Sequence, residues 1–538
     1  MEPLQTNEEQ NPNLGTTDNQ PMQPMQPEPV MMPPKKRSRW PLWTALALVL
    51  TALLAIAGYW VWTNYFKPEP KVVKNDIPVV RWALPEKGLR NFYPNISIDN
   101  VQLELNRQVF EGLVGYEGLT TIAPKLATSW TNPDDSTWLF TLASNVKFHT
   151  GRTMRAEDVR DSIMAAKDTE IGETFASTIK DVTVTSDGKI QITTDGPDPV
   201  LLNKLTYLYI YDTQGDTNDP ANGTGAYQLK PGTTATDTEV TLVAFDDYHG
   251  GRPYVRELDV TYMAREDQGA AYERGDIDIA TIDSSQYAKD VTKSYGTIGA
   301  PSLNVALLGL NVNREDSPLT KRSVREALYL ATDVPALLKV RQLDGTPIGQ
   351  LVPEEIPGYN PDIARPKRDV AKAMQLLKDA GYEDGVTLKF TYFAAAQSTA
   401  EEIARQLAEA GITLTLDPQT EPSKLAAIAF GGQTDLYFVT NSSDTLDAME
   451  VYSTFYQGAN YESEEINSLI AEGNKTFDAA KRLSILKQIA KLGADDIATI
   501  PLYTGASTIS IHNPAYRMQV DVPGVNLGVY FYKVYSGE

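Results

Sequence analysis

"RQVFEGLVGYEGLTTIAPKLATSWTNPDDSTWLFTLASNVKFHTGRTMRAEDV", residues 107–159, changes its hydrophobic period along its length, and those changes set the fold. Its first residues finish a helix. Within "NVQLELNRQVFEGLVGYE" (100–117), Val101, Leu105, Val109 and Leu113 recur at helical spacing behind Asn100, a candidate N-cap. "SWTNPDDSTWLFTL" (129–142) then reads as a hairpin. Pro133 suits the first central position of a type I turn, and Trp138, Phe140 and Leu142 share one strand face. A strand continues through Phe148, a turn is expected at Gly151, and a helix from about Ala156. Glu157 and Asp158 fall in its first turn, where the helix dipole favours anions, and Val159, Ile163 and Ala166 face the core. His149 stands between strand and turn, so it reads as a packing or turn residue.

Downstream the texture changes. "VTLKFTYF" (386–393), a helix near 400–410 and "ITLTLD" (412–417) form a strand–helix–strand unit, which implies a right-handed crossover and a parallel pair. Ser398 and Glu401 are spaced as a capping box, and Gly411 ends that helix. "RDVAKAMQLLKDAG" (368–381) carries Val370, Met374 and Leu377 on one helical face before a glycine stop, and more helix is expected at about 463–496. A hairpin-rich upstream part and an alternating downstream half predict an α/β protein of two lobes.

The chain's 538 residues are too many for one small core. Its formal charge of −22 repels phosphate backbones and argues against a nucleic-acid partner. Having no cysteine, it has no disulfides, thiolate metal sites, cysteine nucleophile or lipid-bearing cysteine. Residues 1–39 are polar, with the short repeat "PMQPMQPEP" and the basic cluster "KKRSR", and are expected to be a disordered cytoplasmic tail. No charged residue occurs from Trp40 to Phe66, a stretch longer than the about 20 apolar residues that cross a bilayer. Trp40 and Trp43 at one end and Tyr59, Trp60, Trp62 and Tyr65 at the other form candidate interfacial belts. The reading is a single transmembrane helix at 40–66 in the cell membrane, N-terminus cytoplasmic, followed by a stalk at 67–75. A cleaved signal peptide ending near "AIA" (55–57) is the competing reading. Either way the bulk of the chain is exported.

Catalytic motifs are missing. There is no GxxxxGK[ST], HExxH or GxSxG, and His149, His249 and His512 are dispersed, so no catalytic or metal-binding residue is assigned and no cofactor is expected. The Asp-rich loop "DTQGDTNDPANG" (212–223) fails the EF-hand spacing and reads as a polar turn.

Residues 107–159 resemble the signature region of the family 5 extracellular solute-binding proteins, the oligopeptide- and dipeptide-binding components of ABC importers. The likeness continues through "GTGAYQL" (223–229), "DDYHGGRPYVRELDVTYM" (246–263), "ERGDIDIA" (273–280), "LGLNVNREDSPLTKRSVREALYLATDV" (308–334), "AMQLLKDAGYEDG" (373–385) and "IPLY" (500–503). One departure is Arg155, where the family usually has a capping threonine. This costs roughly 1 kcal/mol, offset in part by Asp158 reaching back. The resemblance implies a two-lobed periplasmic-binding-protein-like ectodomain (type II, three subdomains). Domain I would comprise 76–110, 215–305 and 505–538, domain II 111–214 and domain III 306–504. Ligand would lie between the lobes, and a monomer would present it to an ABC permease and its ATPase subunits.

Peptide-binding members hold their ligand extended through main-chain hydrogen bonds. An aspartate in a "W-x-x-D-x-x-D-P"-like segment pairs with the ligand's α-amino group. The matching stretch here is "DLYFVTNSSDTLDAMEVY" (435–452), which places Asp444 on the amine-binding position and Asp447 on the second acid. Asn441 replaces the tryptophan and Ala448 the proline. With Tyr437 and Tyr452, the expected ligand-binding residues are Asp444, Asn441, Asp447, Tyr437 and Tyr452. The expected ligand is a peptide. The alternatives are the same fold binding a sugar, chelate or signalling peptide, or a sensor or adhesion role without transport. The scarcity of histidine disfavours nickel.

Overall fold

The computed structural model describes residues 74–536 apart from 86–91, 97–99, 216–220, 284–295, 301–302, 315, 342–344, 459–460, 506–507, 513–515 and 518–529. The expected tail (1–39), membrane helix (40–66) and nearly all of the stalk (67–75) lie outside the described residues. Among those described, no helix is long and apolar enough to cross a membrane.

Three main sheets organise the chain. The largest has seven strands in the order Gly296–Ala300, Thr508–His512, Ile279–Asp283, Val80–Leu84, Glu257–Tyr262, Glu239–Ala244, Tyr227–Leu229. Its central strand, Val80–Leu84, runs parallel to both neighbours. Three separated stretches of chain therefore build this one sheet. A four-stranded antiparallel sheet, Ala127–Asp134, Thr137–Leu142, Ile190–Thr194 and Ile179–Val184, packs into the same hydrophobic core. A six-stranded mixed sheet of Thr346–Pro347, Thr499–Thr504, Val305–Leu310, Leu436–Asn441, Val386–Phe393 and Ile412–Gln419 centres the second lobe, whose core is its own. "VALLGL", 305–310, is buried at every position because sheet partners flank it and both faces are covered. The chain enters the second lobe between Ala300 and Val305 and leaves between Thr504 and Thr508. There the two passes are tied by Gly505 N–H donating to Asn304 O at 3.0 Å.

Most expected elements form, with informative shifts. Val386–Phe393 and Ile412–Gln419 pair in parallel around the helix Gln397–Ala408. The expected Ser398–Glu401 capping box does not form. The helix begins at Gln397 after a single 3-10 turn (Ala394–Ala396), and Glu401 instead accepts from Gln397 Nε2 at 2.7 Å. The 129–142 hairpin turns at Asp135–Ser136, two residues later than Pro133 implied. The cause is Asp134, whose Oδ1 accepts from Ser136 N–H (2.9 Å) and Oγ–H (3.0 Å), while Pro133 sits on an edge strand where its missing N–H costs little.

The opening motif is a bolted joint. His149 Nε2–H donates to Gly225 O at 2.9 Å, Nδ1 accepts from Gly223 N–H at 3.3 Å, and the ring meets Phe245 edge-on. Gly223 and Gly225 let this segment press against the end of the helix Asn100–Val109. A Cβ on Gly223 would lie 2.0 Å from Val109 O, and one on Gly225 2.5 Å from Gln108 O. Arg155 has a guanidinium that cannot accept a hydrogen bond, but its N–H donates to Asp158 Oδ2 at 2.8 Å, so Asp158 does reach back. Arg152 bridges Asp158 and Asp212, which anchors the Asp-rich loop.

Candidate ligand-binding site

A cavity of about 290 Å³ lies between the lobes. The first lobe supplies most of its wall. The helix Asn100–Val109 contributes Glu104 and Arg107, the residues just after it Phe110 and Glu111, and a ring of tyrosines includes Tyr207, Tyr209, Tyr248, Tyr530 and Tyr532. The second lobe contributes Ser442 and Asp444, from the loop after its strand Leu436–Asn441.

That loop is held from both sides. Within its own lobe, Glu450 collects donors: Ser443 Oγ–H at 2.9 Å, Thr445 N–H at 2.9 Å, Thr445 Oγ1–H at 2.6 Å and Asp444 N–H at 3.3 Å. Leu446 takes a left-handed conformation (φ 53°), unusual for a branched residue and a form of strain found where a loop is built for a task. The first lobe grips the same loop across the gap. Tyr207 Oη–H donates to Asp444 O at 2.7 Å and Asn203 Nδ2 to Thr445 O at 2.8 Å, while Phe175 stacks on Tyr207 at 4.1 Å. These bonds bridge the two lobes beside the cavity and exist only when the lobes meet.

Charges inside are unequally satisfied. Glu111 accepts from Tyr248 Oη–H (2.8 Å) and Thr224 Oγ1–H (3.0 Å) and meets His249 Nε2 at 2.7 Å. Burial raises its pKa, but His249, Lys125 and Tyr248 outweigh burial and hold it below the usual range. Lys125 lies against the Tyr530 ring (4.8 Å) and Tyr532 Oη (3.3 Å). Asp444 is different. None of the described residues donates a hydrogen bond to its carboxylate, and burial, with Glu450 second, pushes its pKa up to about 6. Burial likewise pushes Glu104 up, against the opposing pull of Arg107.

Of the five residues singled out from the sequence, only Asp444 lines the cavity. Asn441 ends its strand opposite Val305 and donates to Ser442 O at 3.2 Å. Asp447 is buried in an ion pair with both Arg482 terminal nitrogens, one at 2.9 Å, and caps the helix Ala448–Phe455 through Met449 N–H. Tyr437 is packed in the second core against Phe430, and Tyr452 stacks on Tyr456 there. Sequence reasoning did not find Glu104, Arg107, Lys125 or the tyrosine ring. Their only signal was the (i, i+3) spacing of Glu104 and Arg107, which ordinarily marks a solvated pair.

Two lobes joined by a paired crossing, with a small cavity lined from both sides, are the architecture of a two-lobed solute-binding protein. Residues 121–463 match the Bacterial extracellular solute-binding proteins, family 5 Middle, and the chain belongs to that family, the ligand-binding components of ABC transporters. It is 25% identical over 427 residues to the dipeptide-binding protein of Escherichia coli (strain K12), covering 69% of this chain and 78% of that protein. It is 28% identical over 342 residues to heme-binding protein A of Haemophilus influenzae, covering 56% and 62%. Its fold is similar to that of a periplasmic murein tripeptide binding protein in its unliganded open form, with TM-score 0.75 and 18% identity, covering 87% of this chain and 99% of that one. The relatives are solute-binding proteins, and their named solutes differ.

Proposed function

We propose that this chain captures short peptides with a free α-amino group in the interlobe cavity and delivers them to an ABC permease. The observation that carries this reading is Asp444. Asp444 lines the cavity, its carboxylate has no donor among the described residues, and burial makes it costly to keep ionised unless a cation arrives. A peptide ammonium supplies both the charge and the donors. A cavity of about 290 Å³ is at the small end of ligand sites, which favours peptides of two or three residues over long ones. The dipeptide-binding relative agrees in class. The binding unit is placed on the outer face of the cell membrane as a monomer, tethered by residues 40–66, a reading supported by the uncharged run and the basic cluster before it.

Native mass spectrometry of the purified chain, before and after adding a dipeptide library, tests the reading. The expected result is a set of bound masses that match short peptides and vanish when the peptides are N-acetylated. A chain that retains no peptide, or binds acetylated and free peptides alike, would overturn it.

A further inference from the structure

The first-lobe wall holds an unmet demand of its own. Glu104 is 5% exposed, and among the described residues neither carboxylate oxygen has a hydrogen-bond partner; Arg107 Nη1, one helical turn later, is likewise buried without one among them. The two groups approach only to 3.5 Å, beyond the 2.7–2.9 Å range of a charge-assisted hydrogen bond. Both line the cavity. The other charges on this wall are occupied: Glu111 by Tyr248, Thr224 and His249, and Lys125 by Tyr530 and Tyr532. A loose ion pair is thus left with hydrogen-bonding capacity unspent on both sides, Tyr209 being the other group that Arg107 meets. Leaving that capacity buried and unmet is expensive, so the arrangement is complementary to a solute that offers a donor and an anion at the same spacing.

We propose that Glu104 and Arg107 form the carboxyl-terminal subsite of the cavity, Arg107 taking the ligand's carboxylate and Glu104 the N–H of its last peptide bond. In a peptide those two groups flank one Cα, which suits residues three apart on one helix face. This inference rests on the peptide reading and deepens it. With Asp444 on the other lobe holding the ammonium, both ends of the peptide are fixed, and the cavity length, not side-chain identity, becomes the main selector. Each lobe then holds one end, so closure and recognition are the same event.

The test is calorimetric titration of the full chain with four ligands: Ala-Ala, Ala-Ala-amide, Ala-sarcosine (whose peptide nitrogen carries methyl in place of hydrogen) and N-acetyl-Ala-Ala. The unaltered chain is expected to bind Ala-Ala at least about tenfold more tightly than the amide and about fivefold more tightly than Ala-sarcosine. Arg107→Met should erase the preference for acid over amide, and Glu104→Ala the preference over Ala-sarcosine. Both variants should keep discrimination against N-acetyl-Ala-Ala. Equal binding of acid, amide and N-methyl ligands by the unaltered chain overturns the subsite, and needs no variant to fold. Preferences that persist in the variants do the same. Loss of N-acetyl discrimination alone refutes the role of Asp444 and leaves the subsite standing. Indifference to all four ligands overturns both.

Discussion

Replacing Asp444 by asparagine keeps the shape of the cavity's second-lobe contact and removes its charge, and the two consequences have opposite signs. In the closed protein, burial lifts the carboxyl from its ordinary 3.8 to about 6. At about 1.4 kcal/mol per pH unit, keeping it ionised at pH 7 costs the empty closed form at most about 3 kcal/mol, a ceiling because residual solvent exposure screens the charge. A carboxyl with a raised pKa binds its proton more tightly in the closed form than when the lobes are apart. Empty closure therefore becomes easier as pH falls from about 6 towards 3.8, and its cost levels off above 6, where the carboxyl is ionised in both forms. Ligand reverses the preference, because a peptide ammonium pairs with the ionised form. Protonation of the empty closed form then competes with binding, and where that form is the ligand-free resting state affinity should fall about tenfold between pH 7 and pH 5. In the Asp444→Asn variant, peptides should bind about 2–5 kcal/mol more weakly, the empty protein should close more readily, and neither property should change across pH 6. Titration calorimetry at pH 5, 6, 7 and 8, with small-angle scattering of the ligand-free forms, reads all three. Unchanged affinity in the variant, or a flat pH profile in the parent chain, would refute the argument.

Three further outcomes follow from the packing. Arg482→Met strands the buried Asp447 carboxylate at the helix Ala448–Phe455 and should cost about 3–5 kcal/mol in urea unfolding, whereas Asp447→Ala with Arg482→Met should recover part of that loss. His149→Ala removes both ring hydrogen bonds and the Phe245 contact. It should lower stability by about 2 kcal/mol while leaving peptide affinity within twofold, and a larger change in affinity would give His149 a part in binding. Arg155→Thr supplies the missing acceptor to the helix Ala156–Ala166 and should raise unfolding free energy by about 1 kcal/mol, with ligand binding unaffected.

Periodic elements were legible in the sequence. Val159, Ile163 and Ala166 are buried along one face of the helix Ala156–Ala166 because an amphipathic stripe needs only local spacing to declare itself. The crossover around Gln397–Ala408 is visible for the same reason, although its start is set by a backbone turn that no side-chain motif announces. The binding wall was largely illegible. Asp444 came from the family resemblance, not from any pattern of its own. Glu104 and Arg107 drew no reading, since only Val101, Leu105, Val109 and Leu113 marked the helix's inner face. Tyr530 and Tyr209, which line the same cavity, come from regions far apart in the chain, and no local period reports that. Tyr437 and Tyr452 fail in the opposite direction. On a strand and a helix buried on most sides, an aromatic at regular spacing can belong to core or cavity, and here both belong to the core.

The meeting of Asn304 with Gly505 also bears on how the protein is made. The segment between them is continuous in sequence and supplies nearly all of one core, so it can complete its structure as soon as it emerges. The other lobe must wait. Its seven-stranded sheet stays split until Thr508–His512 inserts between Ile279–Asp283 and Gly296–Ala300, and Phe531 settles on Trp82 later still. A chain arrested after Gly505 should thus resist protease across 304–505 and be cut upstream, so synthesis from the N-terminus would deliver a finished domain inside an unfinished one.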